Sequence, residues 1–228
     1  MSIYVIADLH LSLGKQEKPM DIFRGWQDYV KRLEGNWRRL ITPEDTVVLP
    51  GDISWAMHLD DAVEDFAFIQ SLPGKKIILK GNHDYWWTTM KKMTAWLEEH
   101  HFDTISILNN NCFFAEGVAI CGTRSWLFDV GEEHNAKIMN RELGRLAASL
   151  AAAGEAEKLV FLHYPPIYPT GNADEVVAML HKYGVKRCYY GHLHGGSHRF
   201  AVTGMQGNVE YQLVSADYLR FCPKKILD

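Results

Sequence analysis

Two rhythms alternate along the chain. Short unbroken apolar runs, Ile3 to Ala7, Thr46 to Leu49, Lys76 to Leu79, Leu159 to Leu162 and Cys188 to Tyr190, have the length of buried strands. Between them lie segments with apolar residues three and four apart. Asp21 to Leu40 sets Ile22, Trp26, Tyr29, Val30, Leu33, Trp37 and Leu40 on one face, which predicts a helix. Leu59 to Ser71 predicts a second, with Asp60 and Asp61 in the first turn, where carboxylates meet the positive end of the helix dipole. Trp86 to His100 predicts a third. The middle differs: Ile105 to Leu108, Cys112 to Ala115 and Val118 to Cys121 are short and separated by Asn-rich or Gly turns, which predicts a meander or hairpin. Glu132 to Ala153 predicts a long Ala- and Leu-rich helix stopped at Gly154. Asn172 or Asp174 opens another, to about Tyr183, and His198 to Val214 predicts two antiparallel strands around Gly204 to Asn208.

This alternation, with no repeat, low-complexity tract or Ser/Pro linker, predicts one α/β domain over residues 1–228, built as two packed sheets flanked by helices. Composition changes little: 228 residues, 47% hydrophobic and 23% charged, are ordinary for a globular protein. A net charge of -4 gives no general pull toward nucleic acid or anionic membranes. No apolar stretch approaches the roughly 18 residues that span a bilayer. The opening Met1-Ser2-Ile3-Tyr4-Val5-Ile6-Ala7 reaches Asp8 without a basic region or a long apolar core, so a cytoplasmic location is expected. Cys112, Cys121, Cys188 and Cys222 form no C-x-x-C pair, so they are expected to be free thiols rather than a zinc site.

What changes the picture is the polar residues that follow the strands. Asp8-Leu9-His10, Gly51-Asp52, Gly81-Asn82-His83-Asp84, His163 and Gly191-His192-Leu193-His194 each sit at an expected strand end. Open α/β sheets bind ligands beyond the carboxyl ends of their strands, so neighbouring strands would gather these islands at one edge. Asp8 and His10 are two apart and would share a side if strand geometry persisted. Gly51 allows a tight turn into Asp52, whose two oxygens suit a bridge between metals. Asn82 offers a carbonyl oxygen, and His163, His192 and His194 offer ring nitrogens. Carboxylate with imidazole suits Fe, Mn or Zn better than Ca or Mg. Alone, Asp8-Leu9-His10 is a weak signal and Gly51-Asp52 reads as a turn, while Gly81-Asn82-His83-Asp84 and Gly191-His192-Leu193-His194 are stronger; their order at five strand ends points to two divalent metals. Two metals about 3.5–4 Å apart hydrolyse phosphate esters by acidifying a water and screening phosphate charge. His83 is then placed to protonate the leaving oxygen, with Asp84 expected to orient its other ring nitrogen.

Together these islands resemble the signature of the calcineurin-like metallophosphoesterase superfamily, from residue 8 to 194 with all five motifs in order. The resemblance implies a four-layered α/β/β/α sandwich with two mixed sheets. It implies that Asp8, His10, Asp52 and His194 hold one metal, and that Asp52 bridges to a second held by Asn82, His163 and His192. His83 would be the general acid, held by Asp84, and the metals Mn, Fe, Zn or Ni. The protein Ser/Thr phosphatases of the superfamily carry an arginine in the second motif and Glu at the end of the third. Here Gly51-Asp52-Ile53-Ser54-Trp55-Ala56-Met57 has no arginine and the third motif ends in Asp84. The chain therefore looks more like compact bacterial-type phosphohydrolases.

Arg124, just past an apolar strand, is a candidate replacement for the missing phosphate clamp. His58 and Asp60 are candidates for the pocket mouth. Trp55, Trp86, Trp87 and Trp126 are candidates for an aromatic wall, with core packing as the plainer reading. Tyr164 and Tyr168 bracket two prolines after His163. His100, His101, His134, His181 and His198 show no partner pattern and are expected at surfaces or helix ends. The function expected is hydrolysis of a phosphate mono- or diester by metal-bound hydroxide, with a small phosphate ester as partner and neither membrane nor long nucleic acid. The alternatives are a cyclic or nucleotide phosphodiesterase or nuclease of the same superfamily, and a non-catalytic metal-binding scaffold on the same fold.

Overall fold

A computed structural model describes residues 1–14, 18–126, 136–169 and 171–228. In chain order its main elements are β1 (Ile3–Val5), α1 (Tyr29–Leu40), β2 (Thr46–Pro50), α2 (Val63–Ser71), β3 (Lys75–Leu79), α3 (Met90–Glu99), β4 (Ile105–Ile107), β5 (Phe113–Ala115), β6 (Val118–Thr123), α4 (Ala136–Ala152), β7 (Lys158–Leu162), α5 (Asp174–Lys182), β8 (Arg187–Tyr190), β9 (Gly204–Gln206), β10 (Val209–Leu213) and β11 (Lys224–Leu227). They build two mixed sheets, β11-β1-β2-β3-β4 and β5-β6-β7-β8-β10-β9. β1 to β4 run parallel, as do β6, β7, β8 and β10, while β11, β5 and β9 are antiparallel edges.

The continuous apolar runs have a simple cause: β1, β2, β6 and β7 are buried along their whole length, so both faces must be apolar. One face of each sheet meets the other through Ile3, Val5, Val48 and Ile77 against Ile120, Leu159, Phe161 and Tyr189. The outer face of the first sheet packs on α1 to α3 through Leu33, Trp37, Phe66 and Trp96. That of the second packs on α4 and α5 through Leu146, Leu150, Val176 and Leu180. The result is the four layers that the family resemblance implied.

Several expected elements shift. The helix expected from Asp21 starts only at Tyr29, because Gly25 (φ 93°) and Asp28 (φ 52°) are left-handed and leave Met20–Ile22 as a single 3-10 turn. The helix expected from Trp86 starts at Met90, after Thr89 caps it by accepting from the Lys92 amide. The expected meander divides: β4 joins β3 in the first sheet, and only β5 and β6 form a hairpin. The β9–β10 hairpin forms, but Gly195–Phe200 is 3-10 rather than strand. The edge strand β11 has no counterpart among the expected elements. Residues 132–135 of the long helix, and His134 with them, lie outside the described residues. All four cysteines are free thiols, and burial pushes Cys121 up to about 12. Among the described residues no helix is long and apolar enough to cross a membrane.

Candidate metal centre

The five islands follow β1, β2 and β3 in one sheet and β7 and β8 in the other. These strands are parallel neighbours, so their carboxyl ends open at one edge of the sandwich. The first two loops then run side by side. The Asp8, His10 and Leu11 amides donate to the carbonyls of Gly51, Asp52 and Ile53, each at 3.0 Å, and Trp55 returns a bond to Leu11.

Strand geometry does not aim Asp8 and His10, contrary to the sequence expectation. β1 ends at Val5, and Asp8 (φ 61°), His10 (φ 47°), Asp52 (φ 51°) and His192 (φ 73°) are all left-handed. Such backbone costs a non-glycine residue about 1–3 kcal/mol, and strain of this kind gathers at functional sites. Close approach of the loops explains two glycines. A Cβ on Gly51 would lie 2.7 Å from His163 Nδ1, and one on Gly81 would lie 2.1 Å from Asp52 Oδ1.

The side chains converge. Ligand atoms of Asp8, His10 and His194 lie within 4.8 Å of one another, as do those of Asp8, Asp52 and His163. His10 Nε2 is 3.2 Å from His194 Nε2 and 3.7 Å from Asp52 Oδ2. His163 Nε2 is 2.6 Å from Asn82 Oδ1 and 3.5 Å from Asp52 Oδ2, and His192 Nδ1 is 3.0 Å from the same Asn82 oxygen. The Asp8 carboxylate accepts from the His192 amide at 3.0 and 3.1 Å, tying the first sheet's first loop to the second sheet's last.

The donor set fits divalent cations on its own geometry. His163 Nδ1 lies 3.1 Å from the Pro50 carbonyl and His194 Nδ1 lies 3.0 Å from Asp217 Oδ1. Donation by each Nδ1–H leaves the Nε2 lone pair aimed at the buried oxygens of Asp8 and Asp52. Burial pushes the Asp8 carboxyl up to about 8 and Asp52 up to about 6. It also pushes His163 down to about 3 and His192 to about 2. Buried carboxylates among neutral imidazoles are a site that a cation stabilises.

Asp84 does something other than expected. Its carboxylate accepts from the amides of Asp52 (2.9 Å), Gly81 (2.7 Å), Ile53 (2.8 Å) and Ser54 (3.4 Å), and from Trp86 Nε1 (3.1 Å). It clamps the second loop to the third, and the His83 ring meets the Tyr85 hydroxyl instead, at 3.4 Å. His83 itself donates its amide to Asp52 Oδ1 at 2.8 Å and packs its ring against Trp55, centroids 4.5 Å apart.

Asp217 is the residue that sequence reasoning missed. Besides holding His194, it accepts from the Gly195 amide at 2.9 Å, and His198 Nε2 stands 3.2 Å from its other oxygen. His198, expected at a surface or helix end, stands in the last turn of the 3-10 helix Gly195–Phe200, and its contact with Asp217 carries no sequence pattern. Burial opposes the protonation of His194, but the Asp217 hydrogen bond and the charge of Asp8 outweigh it and raise the ring's pKa.

The other candidates separate. Arg124 does not present a free cation: its guanidinium lies 3.6 Å from buried Glu142, which Arg145 and Thr123 also engage, and 5.0 Å over Trp126. His58 is exposed and lines a hollow with Lys18, Met57 and Asp61 that contains no candidate ligand, and Asp60 is exposed as well. Trp55 does reach the cluster, stacked on His10 at 4.8 Å. Trp86 binds Asp84 and packs on Phe66, Trp87 packs on Trp86, and Trp126 packs on Tyr164, so the four-tryptophan wall does not form. Trp26, expected only as core, stands edge-on to His10 and His194. Tyr164 contacts His163 and His192, whereas Tyr168 packs on Phe200.

The model of the calcineurin-like phosphoesterase family matches residues 1–196. The chain belongs to that family. No curated protein matches the chain significantly. Solved structures agree on the fold. A protein of Thermus thermophilus is 13% identical, with TM-score 0.61, covering 99% of this chain and 97% of that one. The phosphopantetheinyl hydrolase of Mycobacterium tuberculosis is 14% identical, with TM-score 0.59 and coverage of 99% and 95%. A protein of unknown function from Aquifex aeolicus is 19% identical, with TM-score 0.53 and coverage of 98% and 95%. The calcineurin-like phosphoesterases are metal-dependent, in keeping with the Asp/His groups at the shared sheet edge.

Proposed function

We propose that this chain hydrolyses a small phosphate mono- or diester with two divalent cations, Mn, Fe, Zn or Ni. The observation that carries the reading is the meeting of Asp8, His10, Asp52, His163 and His194 at one sheet edge, with His83 beside them but outside both groups. In this reading Asp8, His10, Asp52 and His194 hold one cation, and Asp52, Asn82, His163 and His192 hold the other. When bound, the pair supplies an acidified water and neutralises the phosphate oxygens.

The remaining work falls to the protein. Asp217 holds the His194 ring so that Nε2 points inward, and Pro50 does the same for His163. The bond from the His83 amide to Asp52 sets the position of the imidazole, and Trp55 fixes its tilt. Burial lowers the His83 pKa, partly offset by Asp52. A phosphate anion beside the ring acts in the same direction as Asp52 and favours the protonated form. His83 then delivers its proton to the leaving oxygen, and Asp84 supports it indirectly, by locking the loop it stands on.

Elemental analysis of the purified protein, followed by a panel of chromogenic phosphomonoesters and diesters with Mn, Fe, Zn, Ni or Co, tests the reading. Bound divalent metal with turnover of at least one ester is expected. No turnover with any metal on either ester class would overturn it.

A further inference from the structure

One hollow at the sheet edge is chemically unlike the rest of the centre. It has a volume of about 430 Å³, and His83 lines it together with Met20, Phe23, Trp26 and Trp55. That volume is within the range of small-molecule sites. Met20 and Trp26 are buried, while Phe23 is 53% exposed and neighbouring Ile22 is 74% exposed. Among the described residues, the only charged side chain in the lining, apart from the histidines of the centre, is Arg24, which is exposed at the rim. The wall is built by the feature that cut short the expected first helix. Left-handed Gly25 and Asp28 leave Met20–Ile22 as a 3-10 turn, and Met20 of that turn and Phe23 just after it line the same hollow as His10, His83 and His194.

Position gives this wall a meaning. A proton donor must face the oxygen that departs, so the space His83 lines receives the group attached to that oxygen. We propose that the hollow is the leaving-group pocket and that it selects phosphate esters whose leaving group is an apolar, aryl-sized body. This rests on the phosphoesterase reading for the role of His83. The contacts it requires do not depend on the cations, because Met20, Phe23, Trp26 and Trp55 are none of the candidate ligands. Packing against apolar walls rises with apolar area. Full burial of one methylene is worth about fourfold in affinity, and a pocket open on one side is expected to give roughly twofold.

The test is a series of 4-alkylphenyl phosphates, from methyl to butyl, in which leaving-group acidity stays nearly constant. The expected result is a rise in kcat/KM of roughly twofold per methylene. Phe23→Ala, at an exposed position, should flatten that slope. Turnover that is flat across the series in the unaltered protein overturns the pocket and leaves the phosphoesterase reading standing. A second measurement does not use catalysis. Titrating 4-methylphenol and 4-butylphenol into the metal-free chain, read by tryptophan fluorescence, should show tighter binding of the butyl compound, with the difference reduced by Phe23→Ala. Equal binding of the two overturns the proposal, and if no ester is turned over, this titration decides the pocket alone.

Discussion

The two sheets bring different chemistry to the edge they share. The first sheet contributes both candidate carboxylate ligands, Asp8 and Asp52, with the Asn82 amide, His10 and His83. The second contributes imidazoles only, His163, His192 and His194. The sheets also brace their loops differently. On the first, the buried Asp84 carboxylate collects amides from two loops and an indole. On the second, Asp217, with 9% side-chain exposure, engages the rings of His194 and His198 and accepts from the Gly195 and Tyr218 amides. The carboxylates of the centre therefore come from the sheet whose brace is fully buried, and three imidazoles that complete it come from the sheet whose brace is partly exposed. Four substitutions press on that contrast.

The largest effect is expected at His83. His83→Ala should lower kcat by about 10²–10⁴-fold while bound metal stays at the unaltered level, with the greatest loss for poor leaving groups. Stopped assays over esters of graded leaving-group acidity read this directly, and an equal loss across the series would remove the acid role.

Next comes Asp84→Ala. It leaves the buried amides of Asp52, Gly81 and Ile53 without their acceptor, so unfolding free energy in urea should fall by about 3 kcal/mol or more. If this substitution changes turnover but not stability, Asp84 acts on chemistry rather than as a clamp.

Those two residues also mark how far the sequence could be read. The islands were legible because buried parallel strands leave unbroken apolar runs, and polar residues after such runs stand out. The assignment of Asp84 to His83 failed because adjacency in the chain hid a stronger claim, the unpaired amides of a glycine loop folded against it. Asp8 and His10 were brought together by left-handed turns that period-two reasoning does not register. Asp217 left no mark at all, since its partner His194 is 23 residues away and Ser215-Ala216-Asp217 has no motif of its own. Apolar spacing places the start of the first helix too early because it continues through Gly25 and Asp28, where the helical backbone does not.

On the second sheet, Asp217→Asn should weaken divalent-cation affinity by about 10–100-fold, measured by competition with a chelator, with little effect on stability. An equal loss of stability would place Asp217 with Asp84 and erase the contrast between the sheets.

The smallest effect at neutral pH concerns the feet of the strands. Buried Lys76 in β3 donates to the Leu72 carbonyl at 2.6 Å, and Lys158 in β7 donates to both Gly154 and Ala156. Burial lowers Lys76 from 10.5 to about 8. Between those values the unfolded chain keeps a proton that the folded chain has released. Lys76 therefore contributes stability that rises with pH across that window, by up to about 1.4 kcal/mol per pH unit, while the buried Cys121 thiol contributes the opposite slope above its ordinary pKa of 9.0. Lys76→Met should remove the rising contribution, as followed by urea unfolding at pH 8, 9 and 10.

In the proposed reading two divalent cations would sit where the sheets meet, joined through Asp52. The most direct measurement is the metal-to-protein ratio of the folded chain and of Asp52→Asn, by elemental analysis after Mn²⁺ loading and gel filtration. The expected result is two cations per unaltered chain and one or none in the variant, with circular dichroism unchanged. A folded unaltered chain that retains no divalent cation, or a variant that still retains two, would contradict it.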